Sequence, residues 1–526
     1  MSQILLILTF VLVTVPDLFG APVFDTAPAP AVAISLGLFT LISTVAHLAI
    51  TACTRTVDRT GSWRAIRRGE RIARFTRLLA IAVHAFNILA LGLVGALRSL
   101  LGDIPLLIEL LAITPPLLVW AASWWSVEPL ERRLREAALI RDLDTGTPLY
   151  PIQSRAAFVW MSLRHQVFFI AAPIVIILAW GQCVSAVAQH LGASAHRPRG
   201  TPPSTGIELI AGVVQVLGVV LTFILMPALL RRIWSTTPLG PGPLRDTLLA
   251  LCQRSGVRVR ELLVWRTNGQ LINGAAVGLV RPLRYIMLTD ALLDRLTQPQ
   301  IEAVTAHEIA HIRRHHMFWL AACMVGAALA LGTIAELALY AVSDHLILVF
   351  GAPIDIDSMF SGPASLVMLG LTLAVLGLVS RRFEWQADAF AVSALSQVPA
   401  LASNLSEPVT TITPDAVHAM SSALGSVAAL NGLSPRAPSW RHGSIATRQH
   451  KLKEIIGLPI NALPIDRAVR RIKLATILAI TLSIAASAFN PWDSPREPSA
   501  HASVNEPINT QTWKTHASLA LSTINP

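Results

Sequence analysis

Apolar runs about as long as a bilayer is thick recur along this chain of 526 residues, and they dictate most of what it can fold into. Residues 31–53, 78–97, 104–124, 167–187, 207–230, 317–342, 364–379 and 474–489 each read as a candidate span, the last two being short. A helix needs about 20 apolar residues to cross a bilayer core, and it alone among open structures satisfies its own backbone there. With 53% hydrophobic and 14% charged residues, a soluble globular fold is excluded. The opening MSQILLILTFVLVTV is apolar but lacks a basic flank, which leaves it as an uncleaved signal-like segment or an extra span.

Arginines orient these spans. Eight lie between the first two runs (Arg55 to Arg77) and six between the third and fourth (Arg132 to Arg164). The intervening loops carry Arg98 alone, then Arg197 and Arg199. The positive-inside rule puts the arginine-rich loops in the cytoplasm, and with them residues 231–316 and 381–473. Attraction to the bilayer's anionic lipid accounts for the rest of the net charge of +11, so no nucleic-acid partner is expected. The four cysteines, Cys53, Cys183, Cys252 and Cys323, are too scattered for a disulfide framework or a cysteine metal site.

Two cytoplasmic segments break the membrane pattern. In the first, 261–267 and 270–279 flank Asn268-Gly269, a strong hairpin signal, and 284–289 supplies a third strand. TQPQIEAVTAHEIAHIRRHH then reads as a helix, with Thr297 and Gln300 forming a capping box and Pro299 in the first turn. The second segment opens with SRRFEWQADAFAV, where Phe383, Ala387 and Phe390 recur at helical spacing.

HEIAHIRRHH contains an HExxH, which on a helix sets His307 and His311 one turn apart so that both imidazoles can meet one cation. If the helix continues, His315 sits roughly 12 Å farther along the axis than His307, and His316 faces about 180° away. Both are therefore set aside as ligands and read as polar residues at a membrane edge beside Arg313 and Arg314. A catalytic zinc site needs a third protein ligand. Glu384, with Asp388 one turn on, is the candidate, but spacing alone fits equally a solvated helix face balanced by Arg381 and Arg382.

HEIAHIRRHH followed two spans later by SRRFEWQADAFAV resembles the CAAX prenyl protease and HtpX group of integral-membrane zinc metallopeptidases, with HExxH and a downstream ExxxD. The resemblance implies Zn2+, one per chain, held by His307, His311 and Glu384, with Glu308 as catalytic base and Asp388 behind a ligand. NGAAVG is similar to the family's substrate-side strand, implying substrate contacts for Asn273 and Gly278, although Gly274 stands where alanine is usual. RHGSIATR resembles a late histidine-and-arginine element, with glycine after His442 where proline is common. His442, Arg448 and the substrate-side Arg381 are unranked candidates to steady the oxyanion.

The expected fold is thus a mainly α-helical polytopic membrane protein of about 7–9 spans, with a small α+β zinc-peptidase domain split around two spans. Its expected division is 1–230, a multi-span region; 231–316, sheet and HExxH helix; 317–380, two spans; 381–473, the segment with the third ligand; and 474–526, a last span and tail. The expected activity is a metalloendopeptidase resembling the CAAX prenyl proteases and acting at the cytoplasmic face on membrane-associated peptide or protein substrates. An HtpX-like quality-control protease and a non-enzymatic transporter or scaffold with an incidental HExxH are the alternatives. An intramembrane site-two protease is disfavoured, because IRRHH is too polar to lie within a span. His84, Glu109, Glu208 and Glu336, polar residues within apolar runs, point equally to a water-filled chamber and to pairing between helices.

Overall fold

The computed structural model describes residues 2–14, 22–104, 106–144, 146, 149–191, 206–350, 356–397 and 410–488, with the side chains of 2–5, 336 and most of 339–366 outside that description. The first half of the chain is helical: α1 (Ser2–Thr14), α2 (Pro28–Thr60), α3 (Trp63–Leu89), α4 (Leu93–Leu101), α5 (Leu107–Asp144), α6 (Arg155–Ser162), α7 (Phe169–His190) and α8 (Gly206–Ile233). A π-helical turn, Leu163–Phe168, joins α6 to α7. Then come β1 (Thr236–Pro238), α9 (Pro243–Arg254), β2 (Glu261–Trp265), β3 (Gly274–Val277), β4 (Tyr285–Thr289), α10 (Asp290–Arg295) and α11 (Gln298–Arg313). The rest is α12 (His316–Phe350), α13 (Ile356–Ser396), α14 (Pro414–Leu430), α15 (Ile445–Glu454) and α16 (Pro464–Ala488).

Among the described residues six helices are long and apolar enough to cross a membrane: Pro28–Thr60, Trp63–Leu89, Leu107–Ala137, Arg155–His190, Gly206–Ile233 and His316–Ala335. The short runs at 364–379 and 474–489 fall in α13 and α16, which pack on α12 and on each other but are not among the six. The second run differs most from its expected bounds. Its helix starts at Trp63 and stops at Leu89, and the left-handed Gly92 redirects the chain so that residues 93–101 form the separate α4. At 13 residues α1 rises about 20 Å, short of a bilayer core. It packs instead into the bundle, where Leu6, Phe10, Leu12 and Val13 are buried with Ile81, Ile113 and Trp120.

Polar residues inside this bundle find partners. His84 Nε2 lies 3.3 Å from the Thr9 carbonyl, and Glu109 lies 3.6 Å from Arg98. A cavity of about 370 Å³ between α3, α5 and α6 is lined by Glu70, Arg74, Arg77, Trp124, Glu131 and Gln166. His84 and Glu109 do not line this cavity, so what the structure shows for these two is pairing. The Glu336 side chain lies outside the described residues.

The sheet has the order β1-β2-β4-β3. The hairpin expected at Asn268-Gly269 does not form. Both residues are left-handed, as such a turn demands, but the backbone N–H groups of Thr267 and Asn268 donate to Asp290 at 3.0 and 2.8 Å. This anchor sends the chain across the sheet. The edges of β2 are taken by antiparallel β1 and parallel β4, and β3 lies antiparallel on the far side of β4 (Ala276 opposite Ile286). All five residues of β4 are buried, so the sheet is built around it and β3 is an edge.

Two contacts bind this sheet to its surroundings. Trp265 stacks between Trp234 and His165, and its Nε1–H donates to His165 Nε2 at 2.8 Å, tying β2 to the π-helical turn. On the other face one apolar core gathers Leu262, Ile286, Leu288, Ile301 and Ile309 with Ala389, Val392, Val417, Met420 and Leu452. The segments 231–316 and 381–473 therefore share one interior. Burial of this kind, roughly 25 cal/mol per Å² of apolar surface, is what holds the HExxH helix against the helix that carries Glu384.

Candidate metal centre

α11 opens with the capping box read from sequence: Thr297 and Gln300 satisfy each other's backbone, and Pro299 lies in the first turn. The cap fixes where the helix starts, and later turns present His307 and His311 on one face. Their rings meet edge to face, with Nε2 atoms 3.2 Å apart. α13 crosses α11 and brings in Glu384, with Oε2 3.5 Å from His307 Nε2 and Oε1 3.8 Å from His311 Nε2.

These three donors lie within 4.8 Å of one another. Ligands about 2.0–2.1 Å from a tetrahedral zinc ion stand roughly 3.4 Å apart. Two imidazole nitrogens and one carboxylate at 3.2–3.8 Å fit such an ion.

Electrostatics prepare the donors. Burial pushes His311 down to about 4, which keeps the ring neutral and able to ligate. Burial acts likewise on His307, but Asp388 and Glu384 outweigh it and hold the ring up to about 10. Burial would also lift Glu384, yet contacts with His307 and His442 keep it well below the usual carboxylate range. Glu308 is raised, chiefly by burial, with His307 opposing. Its Oε2 accepts from the N–H of Ala276 at 2.7 Å, so the carboxyl sits between the histidines and the edge strand β3.

The remaining sequence candidates separate by position. Asp388 Oδ1 lies 2.9 Å from His307 Nδ1, an ion-pair contact out of hydrogen-bond alignment. Arg448, buried on α15, grips Asp388 with two hydrogen bonds of 2.7 and 2.6 Å and lies 3.6 Å from Glu384. His442 Nδ1 is 3.0 Å from Glu384 Oε1, and that ring is about half exposed. Arg381 donates to the Gly377 carbonyl and lies along Gly443. The Asn273 N–H donates to the Thr289 hydroxyl and its carbonyl accepts from the Thr289 N–H, just before β3 begins. Gly278 ends β3 in a left-handed conformation, φ 108°, against the Leu283 carbonyl.

Residues 244–430 match the model of peptidase family M48. Two curated relatives align within the same kind of protein. Over 72 residues the chain is 35% identical to "Protease HtpX homolog" of Janthinobacterium sp. (strain Marseille), covering 14% of this chain and 24% of the relative. Over 126 residues it is 25% identical to "Protease HtpX homolog" of Bordetella pertussis, covering 22% of this chain and 41% of the relative. The chain thus spans less than half the length of each of these relatives. A crystal structure of S. mikatae Ste24p aligns with 82% of this chain and all of that one, but at 14% identity and a TM-score of 0.35 it argues neither fold nor function. The M48 match contains His307, Glu308, His311, Glu384 and Asp388; His442 and Arg448 lie beyond its end.

Helical extrapolation misplaced one group near the three donors. α11 stops at Arg313, and the left-handed His315 (φ 56°) turns the chain before α12 starts. His315 is exposed, as read. His316 is not an interfacial residue: it is fully buried, with Nδ1 3.0 Å from His311 Nδ1 and Nε2 2.9 Å from Gln386 Oε1. No glycine or proline marks the break, so the sequence carries no local signal of it.

Proposed function

We propose that the chain is a membrane-embedded zinc-dependent metalloendopeptidase that hydrolyses peptide bonds at the cytoplasmic face. The observation that carries this reading is the meeting of His307, His311 and Glu384 at ligand separations inside the segment that matches family M48. Zinc in that site supplies a Lewis acid and makes water easier to deprotonate near neutral pH. Glu308 takes the proton from the attacking water and passes it to the leaving amine, and its raised proton affinity suits both steps. The arginine-rich loops support the cytoplasmic orientation, and the chain divides at 231, 317, 381 and 474 into two peptidase segments set between membrane regions.

The substrate lies along β3 by strand addition. Its outer edge reaches Glu308 through the Ala276 N–H, and Asn273 and Gly278 frame its ends. Main-chain pairing of this kind makes binding depend little on side chains. Of the candidate oxyanion donors, Arg448 is committed to Asp388, whereas His442 is open to solvent beside Glu384. His442 is the donor this geometry favours.

The matched relatives carry the HtpX name, that of the alternative reading, and a prenyl-directed activity is the other. Purified full-length protein given an unfolded, unmodified membrane protein and, separately, a farnesylated peptide tests both. Cleavage of the unmodified substrate that stops with a chelator and returns with zinc is expected. Cleavage confined to the farnesylated peptide selects the prenyl-directed reading, and no metal-dependent cleavage of either leaves the transporter or scaffold.

A further inference from the structure

His316 and Gln386 are buried behind His311 and lead to the partly exposed Asp466. His316 Nε2 meets Gln386 Oε1 at 2.9 Å, and the Gln386 side-chain NH2 donates to Asp466 Oδ1. Arg314 lies 3.6 Å from the other Asp466 oxygen. His316 and Gln386 are 0% and 4% exposed, so no solvent competes for the bond between them. The His316 ring is further clamped by a parallel stack on Phe383, with centroids 4.7 Å apart.

The chemistry of each group dictates the next. An ionised carboxylate only accepts, so Asp466 holds the Gln386 amide with its NH2 outward and its oxygen toward His316. An amide oxygen also only accepts, so the His316 proton must sit on Nε2. Neutral His316 then has a bare Nδ1, which can only accept from His311 Nδ1–H. That leaves the His311 lone pair on Nε2, the atom facing His307 and Glu384. With His316 neutral in its buried setting, any other arrangement puts two protons or two lone pairs against each other along the chain.

We propose that His316, held by Gln386 and Asp466, is a positioning residue that fixes His311 in the tautomer and orientation needed to ligate the metal. Asp388, in ion-pair contact with His307 Nδ1, stands behind the other histidine. The inference deepens the metallopeptidase reading and rests on it. Outer partners of ligand histidines of this kind govern metal affinity by about 10–100-fold.

Full-length protein in detergent, titrated with Co2+ and with Zn2+ against a chelator, tests the proposal through affinity and the cobalt visible spectrum. His316→Phe keeps a ring on Phe383 but removes the acceptor. Its zinc affinity should fall about 10–100-fold, with a weaker, altered cobalt spectrum. His316→Asn places its amide oxygen near the lost Nδ1 and should recover most of both. Wild-type affinity and spectrum in His316→Phe overturn the proposal, as does equal loss in the Asn variant. Should His316→Phe not fold, Gln386→Met decides. It leaves both histidines in place but frees the His316 tautomer, and unchanged affinity there overturns the proposal. A wild-type chain that takes up no cobalt, or whose uptake ignores His307→Ala, overturns the metallopeptidase reading together with this one. Normal wild-type uptake with an indifferent His316 sinks only the relay.

Discussion

The N–H of Ala276 donates to Glu308 Oε2 at 2.7 Å, so the open edge of the sheet and the HExxH helix meet at the group assigned as base. Glu308→Gln preserves an acceptor for that N–H and removes the base. Cleavage should fall by about 10²–10⁴-fold while metal content stays at the wild-type level. Parallel peptidase assays and metal analysis of the purified variant check this, and retained cleavage would remove Glu308 from its role.

Arg448 is buried with both Asp388 and Glu384, and the ion pairs raise its proton affinity against the opposing effect of burial. Arg448→Met strands two buried carboxylates and should destabilise the fold by about 3–5 kcal/mol. Arg448→Lys should restore little, because an ammonium cannot match the two-pronged contact. Thermal unfolding in detergent reads both variants. Normal stability with lost activity would instead make Arg448 a group acting on substrate.

Gly278 closes β3 at φ 108°, and a Cβ there would lie 2.1 Å from the Leu283 carbonyl oxygen. Gly278→Ala therefore needs a backbone shift at the end of the proposed substrate strand, with about 1–3 kcal/mol of strain. The expected outcome is a lower unfolding temperature and a raised KM for peptide, seen in a melting curve and steady-state kinetics.

Metal uptake should depend on pH with a defined sign. Burial pushes His307 down, but Asp388 and Glu384 hold it up to about 10, so the ring is protonated through the neutral range. His311, pushed down by burial to about 4, is already neutral there. A cation then displaces one histidine proton, and affinity should rise about tenfold per unit between about pH 6 and 8. Competition titrations with a chelator measure that slope; a flat profile would mean that His307 is neutral before the metal arrives.

Much of this site could be read from the sequence because its parts are local. His307 and His311 follow from helical spacing behind a capping box, whereas the roles of Glu308, Glu384 and Asp388 rested on the family resemblance, since spacing on α13 fitted a solvated face equally well. What spacing could not supply was the assembly of elements distant in sequence. The Asn268-Gly269 turn formed without its hairpin because Asp290, about twenty residues on, holds its backbone. His316 was misplaced because extrapolating α11 assumes an unbroken helix, and the turn at His315 is marked by no glycine or proline. Asp466, at the far end of the relay, is 80 residues from Gln386 and has no pattern to announce it. Arg448 was found, but its grip on Asp388 depends on how α15 packs against α13.

The central claim, a metal held by His307, His311 and Glu384, is tested most directly by elemental analysis of purified full-length protein beside single substitutions of those residues. About one zinc per chain is predicted for the wild type, with its loss in His307→Ala, His311→Ala and Glu384→Ala and its retention in Glu308→Gln. Zinc that is absent from the wild type, or that survives replacement of Glu384, would contradict the account.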